Sequence, residues 1–155
     1  MVYFAIIAVI FLTDLCIKRI VDKKLELREE KTYLNGKIIL EKYYNRGFAL
    51  DKFEKYPKLV AYGSGFVCSL LTVKLVILLF RRGQKGLKTA LAMIIGGAAG
   101  NIYDRFRRHY VIDYVRFGVK WKAVRKVVFN ISDFFIILGT LLLLVFQRKG
   151  KISCP

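Results

Sequence analysis

The sequence predicts an all-α integral membrane protein, four transmembrane helices in a single domain over residues 1–155. Three observations carry that expectation. Hydrophobic residues make up 55% of the chain and mean hydropathy is +0.40, too apolar for an ordinary soluble domain. Apolar runs recur at about residues 2–21, 59–80, 89–103 and 127–146, near the roughly 20 residues that a helix needs to cross a bilayer. Basic residues bracket those runs, and the formal charge is +17 from 28 basic and 11 acidic residues. Such a surplus can mark nucleic-acid binding. Here no basic block combines with a nucleic-acid signature, so the charge points to anionic lipid headgroups as the partner and excludes nucleic acid.

The first run, 2–21, has no positive residue before it and no small-x-small cleavage site after it, so it reads as a retained helix rather than a removable leader. Asp14 and Lys18 interrupt it at i,i+4 and therefore share a face. At 1.5 Å per residue Asp14 sits about 20 Å along the helix, roughly 10 Å below the far surface. The polar connection that follows contains Asn35-Gly36 between two apolar stretches, a two-residue hairpin signal. Asn45 and Gly47 mark a turn, and Tyr43, Tyr44 and Phe48 suit the lipid–water interface. In the second run Lys74 lies close enough to the boundary to snorkel.

The third run is short, about 22 Å of helix before Asp104. Its polar end is expected to stop below the surface, held in protein. Residues 96–100 are consecutive small residues, which let helices approach closely. From Tyr114 to Trp121 apolar and polar residues alternate, the pattern of a strand or interfacial segment. The fourth run carries Asn130 and Asp133 at i,i+3. Asp133 falls roughly 10 Å past Lys126, close to the depth of Asp14. Cys16 and Cys68 fall in apolar runs and Cys154 at the tail, with no repeated spacing, and they read as buried free thiols. Four crossings place both termini on one side. Charge leaves that side open, because the dense basic turn at 81–88 and the tail compete with a larger Lys/Arg count in the other connections.

After Glu54 the acidic residues are Asp104, Asp113 and Asp133, all in or beside residues 96–114 and 129–133. A carboxylate at membrane depth costs about 2.5–3.5 kcal/mol on insertion scales, so each is a candidate for function. Asp113 and Asp133 are expected to meet near one membrane surface. Two carboxylates in a low-dielectric site hold one proton between them. Such a pair can activate water with one member and protonate a leaving nitrogen with the other. No Ser/His/Asp set competes, since His109 is the sole histidine. No base stands near Cys16 or Cys68 in sequence, and a metal site would need more ligands than these acids supply. A proton or ion carrier using Asp14, Asp113 and Asp133 is the alternative class.

These residues resemble the lipoprotein signal peptidases, or signal peptidase II. The resemblance lies in Asp14-x-x-x-Lys18; in Asn45-x-Gly47-x-Ala49; in GGAAGN ending at Asn101, with Asp104-Arg105 and Val111-Ile112-Asp113-Tyr114; and in Phe129-Asn130-x-x-Asp133. It implies an aspartic endopeptidase of the bacterial cytoplasmic (inner) membrane that cleaves diacylglyceryl-modified prolipoproteins before the lipidated cysteine. Asp113 and Asp133 would be the catalytic dyad. Asn101, Arg105 and Asn130 would position dyad and substrate. Asp14, Asn45 and Asp104 would hold the site together, with Lys18 and Gly47 supporting them from the same motifs. The resemblance further implies a small extracytoplasmic β cradle, both termini cytoplasmic, residues 22–58 and 104–126 outside with the active site toward that face, and a monomer with no metal or other cofactor. Two positions depart from the family pattern. His109 stands where glycine is usual and is expected to restrict a turn, because glycine alone takes positive φ freely. Ser132 stands where alanine is usual and is small enough to be accommodated.

Overall fold

The computed structural model describes residues 1–47 and 53–152, with side chains as far as Gln147. Phe48, Ala49 and Cys154 therefore lie outside the described residues. The elements run α1 (Val2–Lys24), β1 (Glu30–Tyr33), β2 (Ile38–Asn45), α2 (Pro57–Leu79), α3 (Lys85–Arg108), β3 (Val111–Phe117), α4 (Lys122–Arg125), β4 (Val128–Phe129) and α5 (Ile131–Ile152). The protein is mostly helical, with one antiparallel four-stranded sheet in the order β1-β2-β3-β4.

α3 is the axis. It packs against α1, α2 and α5, and residues 90–97 are buried without a break, as expected of a helix enclosed on all sides. The small residues make this possible. A Cβ on Gly97 would lie 2.6 Å from the Ser132 carbonyl oxygen, and one on Gly100 would collide with the Asp14 carboxylate. The run at 96–100 is thus a helix-packing surface, and it sets α1 and α5 against the same stretch of α3. Beyond that stretch Leu75 and Leu78 of α2 close on Leu91, Ala92 and Ile95.

By length and composition α2 is apolar enough to cross a membrane, and Ile131–Gln147 forms a shorter apolar stretch. α1 buries Ile10, Asp14 and Lys18 along one stripe, so two of the charges in its apolar stretch face protein, while Arg19 is exposed.

Several expectations change. Cys16 is exposed and Cys68 half-buried, where burial was expected, because their stretches of α1 and α2 turn outward from the bundle. α3 does not stop at Tyr103 but continues to Arg108, because Asp104 finds cationic partners inside the bundle. The hairpin connection is four residues, Leu34–Lys37, rather than two, with Leu34, Asn35 and Gly36 all at positive φ. The strand expected from Tyr114 begins at Val111 and ends at Phe117, so Asp113 lies within it.

Candidate active site

Asp133 is placed by local chemistry. Residues 127–146 are not one continuous helix: β4 comes first and α5 begins at Ile131. The Asn130 side-chain oxygen accepts the Asp133 N–H at 3.1 Å, and the Asp133 Oδ2 accepts the Asn130 N–H at 2.9 Å. That is a reciprocal capping box, which satisfies helix-start donors at both residues. Asp133 therefore sits in the first turn of α5, where a carboxylate is also favoured by the helix dipole.

Asp113 is placed by the sheet. It pairs with Tyr43 across β2 and β3, beside a register shift between Leu40 and Tyr43. Such bulges re-aim side chains next to functional sites. Asp113 Oδ2 accepts from Asn45 Nδ2 at 2.9 Å and Oδ1 from Asn130 Nδ2 at 2.6 Å. Asn130 thus holds both acids, one through its amide and the other through its backbone. The Tyr114 hydroxyl ties the same two elements by accepting the Ile131 N–H at 3.0 Å.

Asn101, on α3, completes the frame. Its Nδ2 donates to Asp133 Oδ1 at 3.0 Å, and its Oδ1 accepts from Asn130 Nδ2 at 3.1 Å and from Lys18 Nζ at 2.8 Å. The Lys18 cation fixes which way this amide points, since an ammonium only donates. Lys18 also pairs with Asp14 at 2.7 Å and Asp104 at 2.9 Å, all three side chains being fully buried. The Asp14–Lys18 pair is therefore more than an anchor for a helix end.

Arg105 donates to the Gly47 carbonyl at 3.1 Å and to the Asn101 carbonyl at 3.4 Å, while the Gly47 N–H reaches Asn45 Oδ1 at 3.0 Å. All ten sequence-derived site residues (Asp14, Lys18, Asn45, Gly47, Asn101, Asp104, Arg105, Asp113, Asn130 and Asp133) thus join one network of ion pairs and hydrogen bonds. Burial and the Asp133 charge push the Asp113 carboxyl up to about 7, against the amide hydrogen bonds that favour its ionised form.

Sequence reading missed an outer layer. Asp22 accepts from Arg108 at 3.0 Å, from the Tyr44 hydroxyl at 3.0 Å, and lies 3.5 Å from Lys42 Nζ. Arg108 also reaches Asp104 at 3.4 Å. The signal was present: Asp22 continues the i,i+4 series of Asp14 and Lys18, and Arg108 stands four residues after Asp104.

A cavity of about 500 Å³ opens beside the acids. Asn101, Asp113, Asn130 and Asp133 form its polar end; Val67, Leu71, Ile94, Ile136 and Ile137 line the apolar remainder between α2 and α5.

Two acids sharing one amide frame at the end of an apolar cavity are the equipment of the aspartic peptidases as a class. The family is narrower. The model described as signal peptidase (SPase) II matches residues 6–148, and the chain belongs to that family. Among curated relatives named lipoprotein signal peptidase, that of Caldicellulosiruptor bescii is 32% identical, with 97% of this chain and 95% of the relative aligned. The one from Halothermothrix orenii is 30% identical over 94% of each. That of Fusobacterium nucleatum is 28% identical over 99% of this chain and 92% of the relative. Among solved structures, a bacterial membrane enzyme obtained by the in meso method at 2.3 Å resolution shares the fold at a TM-score of 0.81 and 16% identity, over 97% of this chain and 89% of that one.

Proposed function

We propose that the activity of this family, removal of the signal peptide from a diacylglyceryl-modified prolipoprotein just before its lipidated cysteine, is carried here by Asp113 and Asp133. The observation that carries the assignment is Asn130, which bonds to both carboxylates at once. One member of the pair, ionised, takes a proton from water as its oxygen adds to the scissile carbonyl carbon. The other, protonated, delivers its proton to the departing amide nitrogen. The products are a signal peptide with a free carboxylate and a lipoprotein with a free amino group.

Asn45, Asn101 and Asn130 orient the acids. Asp14, Lys18 and Asp104 hold Asn101 from behind, and Arg105 keeps the backbone at Gly47 over the site. α1, α2, α3 and α5 are the four membrane crossings, with both termini cytoplasmic and the sheet on the outer surface. Membrane lipid surrounds them, and the enzyme works as a monomer. The substrate's acyl chains enter sideways between α2 and α5, a route supported by the apolar cavity there. Anchorage in the same bilayer supplies orientation and local concentration.

The test is a gel-shift assay of a lipid-modified prolipoprotein with purified protein. Asp113→Asn and Asp133→Asn each abolish the shift while the variant remains folded in detergent. Full turnover by both variants would end the assignment.

A further inference from the structure

Asp113 and Asn45 also line a second cavity, of about 360 Å³, on the sheet side of the acids. Its character is the reverse of the groove's. Besides those two residues, its wall includes Glu41, Arg116, Arg125 and Lys126. The catalytic carboxyl thus stands at the junction of an apolar space and a charged one.

We propose that the sheet-side cavity is the subsite for the polypeptide that follows the lipidated cysteine, and that Arg125 and Lys126 make it favour acidic over basic residues there. The inference rests on the peptidase reading above. A peptide bond cut at Asp113 has two flanks. The acyl chains and the hydrophobic signal segment suit the groove between α2 and α5. The chain beyond the cysteine is polar and must leave for water. Burying its amides and side chains against Val67, Leu71 and Ile136 would strip them of water and leave them unpaired. The charged cavity supplies donors and acceptors and reaches the same carboxylate.

The sign of the preference follows from which charges are already matched. The Arg116 guanidinium is paired with Glu30 and, at 2.8 Å, with Glu41. Arg125 and Lys126 are exposed and form no ion pair among the described residues. Lys120 and Lys122 lie just before them in sequence. Glu30 and Glu41 share that one guanidinium, so this set carries one negative charge in excess; Arg125 and Lys126 add two positive charges, which leaves the wall outside Asp113 with a net charge of +1. Exposed pairs of this kind are screened and weak, so the selectivity is modest, on the order of five-fold.

The experiment uses the full chain in micelles of neutral detergent and lipid. Diacylglyceryl prolipopeptides are compared that differ at the second and third residues after the lipidated cysteine: Asp-Asp, Ser-Ser or Lys-Lys. The wild type should show kcat/KM about five-fold higher for Asp-Asp than for Lys-Lys, the ratio shrinking toward one in about 0.5 M salt. Arg125→Glu combined with Lys126→Glu should invert the order. Equal kcat/KM for the charged peptides in the wild type, or a ratio unmoved by the double reversal, overturns the subsite even while Ser-Ser is cleaved. Failure of the wild type to cut Ser-Ser strikes the peptidase reading itself. If the double variant does not fold, the wild-type ratio and its salt dependence decide.

Discussion

At the scale of single residues, the acids were legible because acids are rare in this chain. In a sequence otherwise apolar or basic after Glu54, Asp104, Asp113 and Asp133 stood out. Their partners were harder to read. Asn130 looked like a neighbour of Asp133 on a continuous helix, whereas Asn-x-x-Asp is a capping box that starts one. The raised Asp113 carboxyl, at about 7, sets a pH window. In the proposed reaction the acid step needs one proton on the pair, so kcat/KM should fall as pH rises through about 7, approaching ten-fold per unit. A profile flat to about pH 9 would remove Asp113 as the proton holder. The same shift acts on stability with a stated sign. Between about 4 and about 7 the folded chain keeps a proton at Asp113 that the unfolded chain has released, so this group's contribution to stability declines as pH rises across that window.

At the scale of elements, the helices were readable from apolar runs and their ends were not. The polar end Asp104–Arg108 stays helical because Lys18 of α1 neutralises Asp104, a tertiary partner that no local pattern reveals, beside the local i,i+4 pair with Arg108. The alternation read from Tyr114 missed the buried start of β3, where Val111, Ile112, Asp113 and Tyr114 are all enclosed and the two-residue period is lost. The turn from α3 into β3 is made at His109, where glycine was the expected fit. His109 caps α3 at φ 66 and ψ 11, the left-handed region, with its N–H bonded to the Arg105 carbonyl at 3.2 Å. It is exposed, so its imidazole gains little there from packing. His109→Gly should stabilise the protein by about 1 kcal/mol, the usual left-handed penalty of a side chain. Thermal unfolding in detergent checks this; a lower Tm would mean the imidazole contributes a contact that outweighs the strain. Ser132 is buried against the glycine face of α3, where only a small residue fits, as expected.

At the scale of the whole molecule, the Lys18 cluster connects what the sequence keeps apart. It joins α1 to α3 through Asp14 and Asp104 and reaches α5 through Asn101. Lys18→Met would leave Asp14 buried without its cation and Asp104 with Arg108 alone, at 3.4 Å. Loss of one partner from a buried pair costs about 3–5 kcal/mol. We expect a destabilisation of that size by denaturant titration in micelles. Asn101 would also lose the charge that orients its amide, so kcat should fall further than unfolding alone explains. A variant of wild-type stability and kcat would show that the cluster is not needed to brace the site.

Bilayers differ in thickness, and helices answer by tilting or bending. Were each acid fixed only to its own helix or strand, every such adjustment would reset the gap between them. Tethering both to Asn130, at the hinge where β4 passes into α5, makes their spacing a property of one side chain and one peptide unit. The proposed catalytic pair would then keep its spacing while the helices around it lean with the lipid.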